Sequence, residues 1–291
     1  MANTIARASQ WVPILDEIYQ TSSLTADLDG APELARQGAN ADELIIPKLD
    51  MQGLGDYSRN DGYVSGDVNL TNETVKCNFD RGRMFTVDNM DNQETANIAF
   101  GRLAGEFIRT KVNPELDAFR FASYAGAHGI STVEGADLAT GDAVIKAIRA
   151  GTTKMDEDQV PPESRILYIT PTLKGLIDDM DTTKSRDVLK KFSKVVEVPQ
   201  ARFYTAIKQL NGKDGEAKGG YEKASGAADI NFMIIEKSAV IQYPKHVAPK
   251  IVTPDQNQTG DAYKFGYRNV GIAAVYENKT AGIYLHKKAV L

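Results

Sequence analysis

Cys77 is the only cysteine in the 291-residue chain, so neither an intrachain disulfide nor a thiolate zinc cluster can be built. That economy suits a reducing cytoplasm. Histidine is nearly as scarce: His128, His246 and His286 have no second histidine at metal-ligand spacing, and HExxH is absent. The three read as turn or strand-edge residues, and Cys77 as a small apolar residue in a strand, not a nucleophile. Long hydrophobic runs are also missing. Phe232–Ile235 and Val270–Tyr276 are far too short to span a bilayer, and Met1 to Gln10 lacks the apolar core of a signal peptide. The sequons at Asn69, Asn72, Asn257 and Asn278 therefore read as turn chemistry. There is no excess of base: 34 Lys and Arg face 39 Asp and Glu, for a formal charge of −5. No Lys/Arg block marks a dedicated nucleic-acid surface.

Reaction centres are lacking too. No serine sits in a GxSxG elbow. Gly53-Leu-Gly55 has no third glycine at dinucleotide-loop spacing and no helix opening behind it. Gly212-Lys213 is followed by Asp214, where a phosphate loop needs Ser or Thr. Asp156-Glu157-Asp158 and Asp178-Asp179 are adjacent, so their side chains diverge on a helix and read as a solvated face. No catalytic, metal or cofactor-binding residue is assigned, no cofactor is expected, and the chain is expected not to be an enzyme.

What the chain does have is core material: 42% hydrophobic residues, with 12 Tyr and 10 Phe, enough for a folded body. Residues 1–40 stand apart. Trp11, Ile14, Leu15 and Ile18 share a helical face over barely two turns, and a small, polar Ser22–Gly38 follows. The helix either docks on its own body or reaches a neighbour. Glu43–Leu49 reads as a strand closed by Pro47. A polar, glycine-rich excursion runs from Gly53 to Asp67, and alternation resumes over Thr74–Asp80. Together they predict a long antiparallel hairpin with a floppy middle, followed by a turn at Arg81-Gly82-Arg83 and a short strand, Met84–Val87.

Asp91 or Asn92 then caps a helix whose stripe is Ala96, Phe100, Leu103 and Phe107, with a kink at Asn113-Pro114 and continuation through Glu115–Tyr124. At 1.5 Å per residue this is a spine of ~50 Å. A second helix covers Asp142 to Met155. Arg165–Thr170 reads as a buried strand, Thr170-Pro171 as a helix start with a capping hydroxyl, and Leu173–Met180 as the helix. Lys194–Val198 is a further strand. Asn211–Gly226 is a Gly- and Lys-rich loop, and Ile230–Ile235, Lys250–Thr253, Lys264–Tyr267, Ile272–Tyr276 and Gly282–His286 close a β-rich end. The fold class is α+β.

In this order the pieces resemble the major capsid protein of tailed bacteriophages, a fold shared with encapsulins. Gly53-Leu-Gly-Asp-Tyr57, Gly62-Tyr63, Gly66, Arg81-Gly82, Asp88-Asn-Met-Asp91 and Glu94-Thr95 look like that family's extended hairpin (the E-loop) leading into its spine helix. Asn113-Pro114-Glu115-Leu116-Asp117-Ala118-Phe119-Arg120 is similar to the continuation of the spine. Val160-Pro161, Tyr168-Ile-Thr-Pro171 and Val198-Pro199 look like axial core strands. Lys250-Ile-Val-Thr-Pro254, Tyr267-Arg268 and Gly282-Ile-Tyr284-Leu-His-Lys287 look like the closing β elements. Single motifs are modestly specific; their order, over nearly the whole chain, is more so.

The resemblance implies an N-terminal arm at 1–40 and an E-loop at 41–88. It implies a peripheral domain with the spine at 89–130 and 244–276, and an axial domain at 131–243 and 277–291. Subunits would form hexamers and pentamers of an icosahedral shell round double-stranded DNA, with a separate scaffolding protein, a portal, and non-specific contact with packaged DNA. Location would be the virion after assembly in the bacterial cytoplasm, with no membrane. Trp11, Tyr57, Arg59, Asp61, Tyr63, Lys213, Lys218 and Pro254 are the expected assembly contacts, and the Asn211–Gly226 loop is expected to face other subunits near a capsomer axis, or solvent. An encapsulin-like compartment is the near alternative. A soluble α/β hydrolase or binding protein with two flexible lids is the alternative of another class.

Overall fold

Pro47 is expected to close a strand, yet β2 (Glu43–Met51) runs through it, between β1 (Arg36–Gln37) and β3 (Val68–Lys76), both antiparallel to it. Pairing with β3 carries straight through it, Pro47 lying opposite Asn72, and among the described residues β1 meets β2 at Leu44 and Ile45. This computed structural model describes residues 23–30, 36–37, 43–60, 62–94, 98–135, 138–180, 187–213 and 215–289. The Trp11 helix face and Asp61 lie outside them.

The alternation over Thr74–Asp80 is broken in the structure. Cys77 and Asn78 form a two-residue link, and β4 (Phe79–Asp88) starts a new sheet. Asn78 fixes the link by donating to the Ala273 carbonyl at 2.7 Å and accepting from the Ala273 amide at 3.0 Å. Cys77 packs beside Ile241 and Ile272. The turn expected at Arg81-Gly82-Arg83 is not there: β4 continues straight through Gly82. A Cβ at Gly82 would lie 2.9 Å from the Tyr267 carbonyl oxygen, so glycine permits close strand approach instead of reversing the chain.

Helix α1 (Asn89–Glu94) begins ahead of the expected cap, and α2 (Ile98–Phe107) runs into a π-helical turn, Ile108–Val112, before α3 (Asn113–Ala125). The kink expected at Pro114 is this turn. Proline lacks an amide hydrogen and crowds the carbonyl four residues back, and the widened turn relieves that by passing the Asn113 amide to the Ile108 carbonyl. Gly126 ends the spine.

The remaining strands are β5 (Ser131–Glu134), β6 (Arg165–Ile169), β7 (Lys194–Glu197), β8 (Ile207–Gln209), β9 (Tyr221–Lys223), β10 (Ile230–Glu236), β11 (Val240–Val252), β12 (Ala262–Val275) and β13 (Ile283–Lys287). Among the described residues, helices α4 (Gly141–Glu157) and α5 (Pro171–Asp178) lie between these strands. Thr140 caps α4 by accepting from the Ala143 amide at 3.3 Å. Thr170 precedes Pro171 as expected but makes no side-chain capping bond.

A five-stranded sheet, ordered β5-β13-β10-β6-β7, forms the middle of a three-layer body. Ile166 and Tyr168 face the spine residues Phe121 and Tyr124, while Leu167 and Ile169 face Val144 and Ile148 of α4. Burial on both faces is why β6 reads as a continuous apolar run. The second sheet, β11-β12-β4, joins pieces expected to be separate short strands into one long hairpin plus β4. Pro244 and Pro249 are tolerated because β11 is its edge. Helix α2 and the π turn cover this sheet through Ala104 and Ile108 on Phe265 and Tyr267.

His286 departs from its expected edge position. It lies on β13 between two neighbours, 1% exposed, stacked 4.9 Å from Phe232, with Nδ1 3.1 Å from the Asn231 amide nitrogen. His128 sits in an exposed turn and His246 on the edge strand β11, as read. Burial pushes the His286 pKa below its usual 6.5. The unfolded chain therefore binds this proton first. Its contribution is fully present above pH 6.5 and is lost as pH falls from there toward the folded-state value. Denaturant unfolding at pH 7.5 and 5.5 is expected to show a loss in the parent chain that His286→Gln lacks, by up to about 1.4 kcal/mol.

Candidate functional site

Glycine and short polar residues let the segment between β2 and β3 leave the body without building a core. Its tip closes on itself: Ser58 and Gly62 exchange backbone hydrogen bonds of 3.3 and 2.8 Å, Gly62 takes φ +78°, and the Tyr57 and Tyr63 rings lie 4.9 Å apart. Both rings are exposed, Tyr63 at 90%. Among the described residues, seven of the eleven large apolar side chains left exposed lie between Met51 and Leu70, which makes the ribbon itself the uncovered surface. Register puts Met51 opposite Val68, with Leu70 two positions on, so these three share one face.

Beside the spine lies a cleft of about 1170 Å³ between β4, the helix from Leu103 to Glu115, and the β8–β9 hairpin. Phe107 lies edge-on to Phe85 at 4.8 Å and to Tyr267 at 6.2 Å. The far wall is the glycine-rich loop, and it is tied down. Arg81 Nη2 donates to the Leu210 and Gly220 carbonyls at 2.7 and 3.2 Å, and its Nε reaches Glu115 at 2.7 Å. Arg83 donates to the Lys218 and Ala217 carbonyls at 3.1 and 2.9 Å. Burial pushes the Glu115 carboxyl up, against the pull of Arg81. Burial likewise pushes the Tyr221 hydroxyl up to about 12.

The residues expected as contacts therefore fall in three places. Tyr57, Arg59 and Tyr63 are on the hairpin tip, Arg59 exposed. Lys213 and Lys218 are on the cleft's glycine-rich wall, and Pro254 opens a short 3-10 turn, Pro254–Gln256, between β11 and β12. The structure brings Tyr57 and Tyr63 together and leaves the three groups distinct; Trp11 and Asp61 lie outside the described residues. Asp156 and Asp158 do not form a merely solvated face: Asp156 pairs with buried Arg165 at 2.6 Å.

A third arrangement had no reading from sequence. Asp117, fully buried on α3, accepts from Thr25 Oγ1 at 2.7 Å, Ser23 Oγ at 2.9 Å, the Leu24 amide at 3.1 Å and Arg202 at 3.3 Å. One turn on, Arg120 donates to Thr25 Oγ1 at 2.8 Å and pairs with Asp29 at 3.3 Å. Gln242 closes the set, donating to the Thr25 carbonyl at 2.6 Å and accepting from the Tyr124 hydroxyl at 2.6 Å. Leu28 is buried beneath. Residues 23–30, counted by sequence with the arm, are thus pinned to the chain's own spine. Charged Asp117 and Arg120 three apart on a helix face shared with Leu116 and Phe121 were the available signal.

Among the described residues no group of three or more His, Cys, Asp or Glu side chains could hold a metal, and no helix is long and apolar enough to cross a membrane. No protein-family model and no curated protein matches the sequence. Solved structures do. The mature capsid of bacteriophage PhiM1 matches with a TM-score of 0.60 at 10% identity, covering 88% of this chain and 84% of that one. The virus-like particle from Pyrococcus furiosus gives 0.59 at 9%, covering 94% and 95%. Mycobacterium phage Che8 gives 0.59 at 13%, covering 91% and 90%. The chain has the phage capsid fold. Identities this low establish the fold, and the α+β class with its hairpin and spine agrees with it along nearly the full length.

Proposed function

We propose that the chain is a major capsid protein, the repeating subunit of an icosahedral shell built from its hexamers and pentamers around double-stranded phage DNA. One observation carries this. A capsid fold matched over nearly its full length presents a hairpin whose apolar residues are left exposed among the described residues. Ordering such a ribbon in a lone subunit wins no burial, whereas in a closed shell neighbours cover it and closure multiplies weak contacts. On this reading the arm, E-loop, peripheral domain and axial domain follow the boundaries given above. A separate scaffolding protein and a portal take part, DNA is touched without sequence readout, and the protein is a virion component assembled in the bacterial cytoplasm. It is not an enzyme. The cleft is large enough for a substrate, but among the described residues its lining carries no His, Cys, Ser or Asp, and Glu115 is tied to Arg81.

The match to the Pyrococcus furiosus particle favours a second reading, a compartment shell around protein cargo. Electron microscopy of purified protein, with scaffolding partner supplied, is expected to show closed particles or rings. A strictly monomeric protein under those conditions overturns both readings. Particle contents separate them: nuclease-protected DNA supports the phage shell, and a co-purifying protein cargo the compartment.

A further inference from the structure

We propose that Asn211 is a site of spontaneous covalent modification. There the backbone amide of Gly212 closes on the Asn211 side chain and leaves a carboxylate or an isoaspartyl link in the glycine-rich wall of the cleft.

Asparagine is a thermolabile side chain because its amide carbon lies within reach of the next residue's backbone nitrogen. That attack is slowed by a bulky following residue, by a following amide that already donates, or by a side chain held away from its own backbone. Asn211 escapes all of these. It is the one asparagine in the sequence followed by glycine, which has no side chain to screen the nitrogen. Among the described residues the Gly212 amide donates to nothing. Asn211 is exposed, and its Oδ1 accepts from the Lys213 amide at 2.7 Å. That bond folds the side chain over the Gly212 peptide and draws electron density from Cγ. Other asparagines are protected. Asn113 is followed by proline, which has no amide hydrogen to lose, and Asn78 is bonded at both ends to Ala273. The amide after Asn278 donates to the Tyr276 carbonyl at 3.0 Å.

The chemistry needs only water. The Gly212 nitrogen gives up its proton and bonds to Asn211 Cγ, the bond from Cγ to the side-chain nitrogen breaks, and ammonia leaves carrying the proton. Water then opens the cyclic imide. Cleavage at Cγ restores the backbone and leaves an aspartyl side chain. Cleavage at the backbone carbonyl carbon leaves an isoaspartyl link, which puts an extra methylene into the main chain.

Either product disturbs the wall. Glu216 accepts from the Asn211 amide at 2.8 Å and pairs with Lys208 at 2.7 Å, so a new carboxylate arrives beside an existing one. The isoaspartyl link lengthens the chain next to Leu210, whose amide donates to the Gly220 carbonyl at 2.9 Å and whose carbonyl accepts from Arg81.

The test ages the full-length chain in mildly alkaline buffer and maps its peptides by mass spectrometry, with hydroxylamine added to cleave the imide. Asn211 is expected to convert at least about tenfold faster than any other asparagine, a barrier lower by about 1.4 kcal/mol, and to give both products. The rate should rise with pH, because the attacking nitrogen must first lose its proton. Asn211→Gln, which would have to close a larger and less favoured ring, is expected to abolish conversion there with Tm unchanged. Trypsin is expected to cut at Lys213 and Lys218 faster in the aged chain than in fresh chain or in Asn211→Gln kept for the same time. An Asn211 that stays an amide, or that yields the aspartyl product alone, overturns the modification site. Conversion with unchanged cutting at the two lysines overturns the effect on the wall.

Discussion

Asp117→Ala is expected to lower unfolding free energy by about 3–5 kcal/mol and Tm by roughly 10 °C, the largest effect of any single truncation considered. The carboxylate accepts from three donors of residues 23–25 and pairs with Arg202, all at 3.3 Å or less, in a fully buried setting. Removing it strands those donors away from water, and each buried donor left unpaired costs about 1–3 kcal/mol. It also takes away the carboxylate that Arg202 pairs with. Asp117→Asn keeps an acceptor but not the charge, so an intermediate loss is expected. Arg268→Ala is the control: its pair with Asp80 is more than half exposed, and pairs of that kind contribute about 0–1 kcal/mol. Differential scanning calorimetry ranks the three. Limited proteolysis should release the first 30 residues faster only in the Asp117 variants. A loss below about 1 kcal/mol for Asp117→Ala would show that the network is not what pins the segment.

How much of this was legible in the sequence follows from which physics is local. The hairpin and spine were readable because alternation, a helical apolar stripe and a proline act within a few residues. The doubly buried β6 was readable for the same reason. Gly82 was misread because a glycine between two arginines has the same sequence whether it turns or lets strands approach; only Tyr267, on a strand paired from 185 positions away, decides it. Pro47 was misread because a proline's cost in a strand depends on the partner it faces, and β3 pairs straight through it. His286 and the Asp117–Arg120 pair are long-range facts of the same kind: local pattern marks such residues as polar, and burial is set by distant segments. The cleft was illegible altogether, since its walls come from three stretches of chain, although Arg81-Gly82-Arg83 and the glycine-rich loop were each noticed alone.

Replacing Gly53–Gly66 by a two-residue Asn-Gly turn is expected to leave the subunit folded while particle yield falls by more than an order of magnitude. Little burial is lost, because Leu54, Tyr57, Tyr63 and Val64 are already exposed. The pairing of Glu43–Met51 with Val68–Lys76 does not pass through the excised stretch, and Asn-Gly suits a tight hairpin. Shortening the loop even lowers the entropic cost of closing it, by about 0.6 kcal/mol per halving of length. Tm should therefore change little. What goes is reach: at ~3.3 Å per extended residue, each side of the hairpin loses about 20 Å, enough to part it from a neighbouring subunit. The lost contact is large on the scale of assembly. Burying even one of these side chains contributes about 1.5–3 kcal/mol, and 2 kcal/mol alone weakens association roughly thirtyfold. Several such contacts must form together to close a ring, so the deficit compounds. Calorimetry of the subunit set beside particle counts by electron microscopy makes the comparison. Normal shells from the shortened chain would show that the tip is no assembly element, and a chain that fails to fold would show that it belongs to the core.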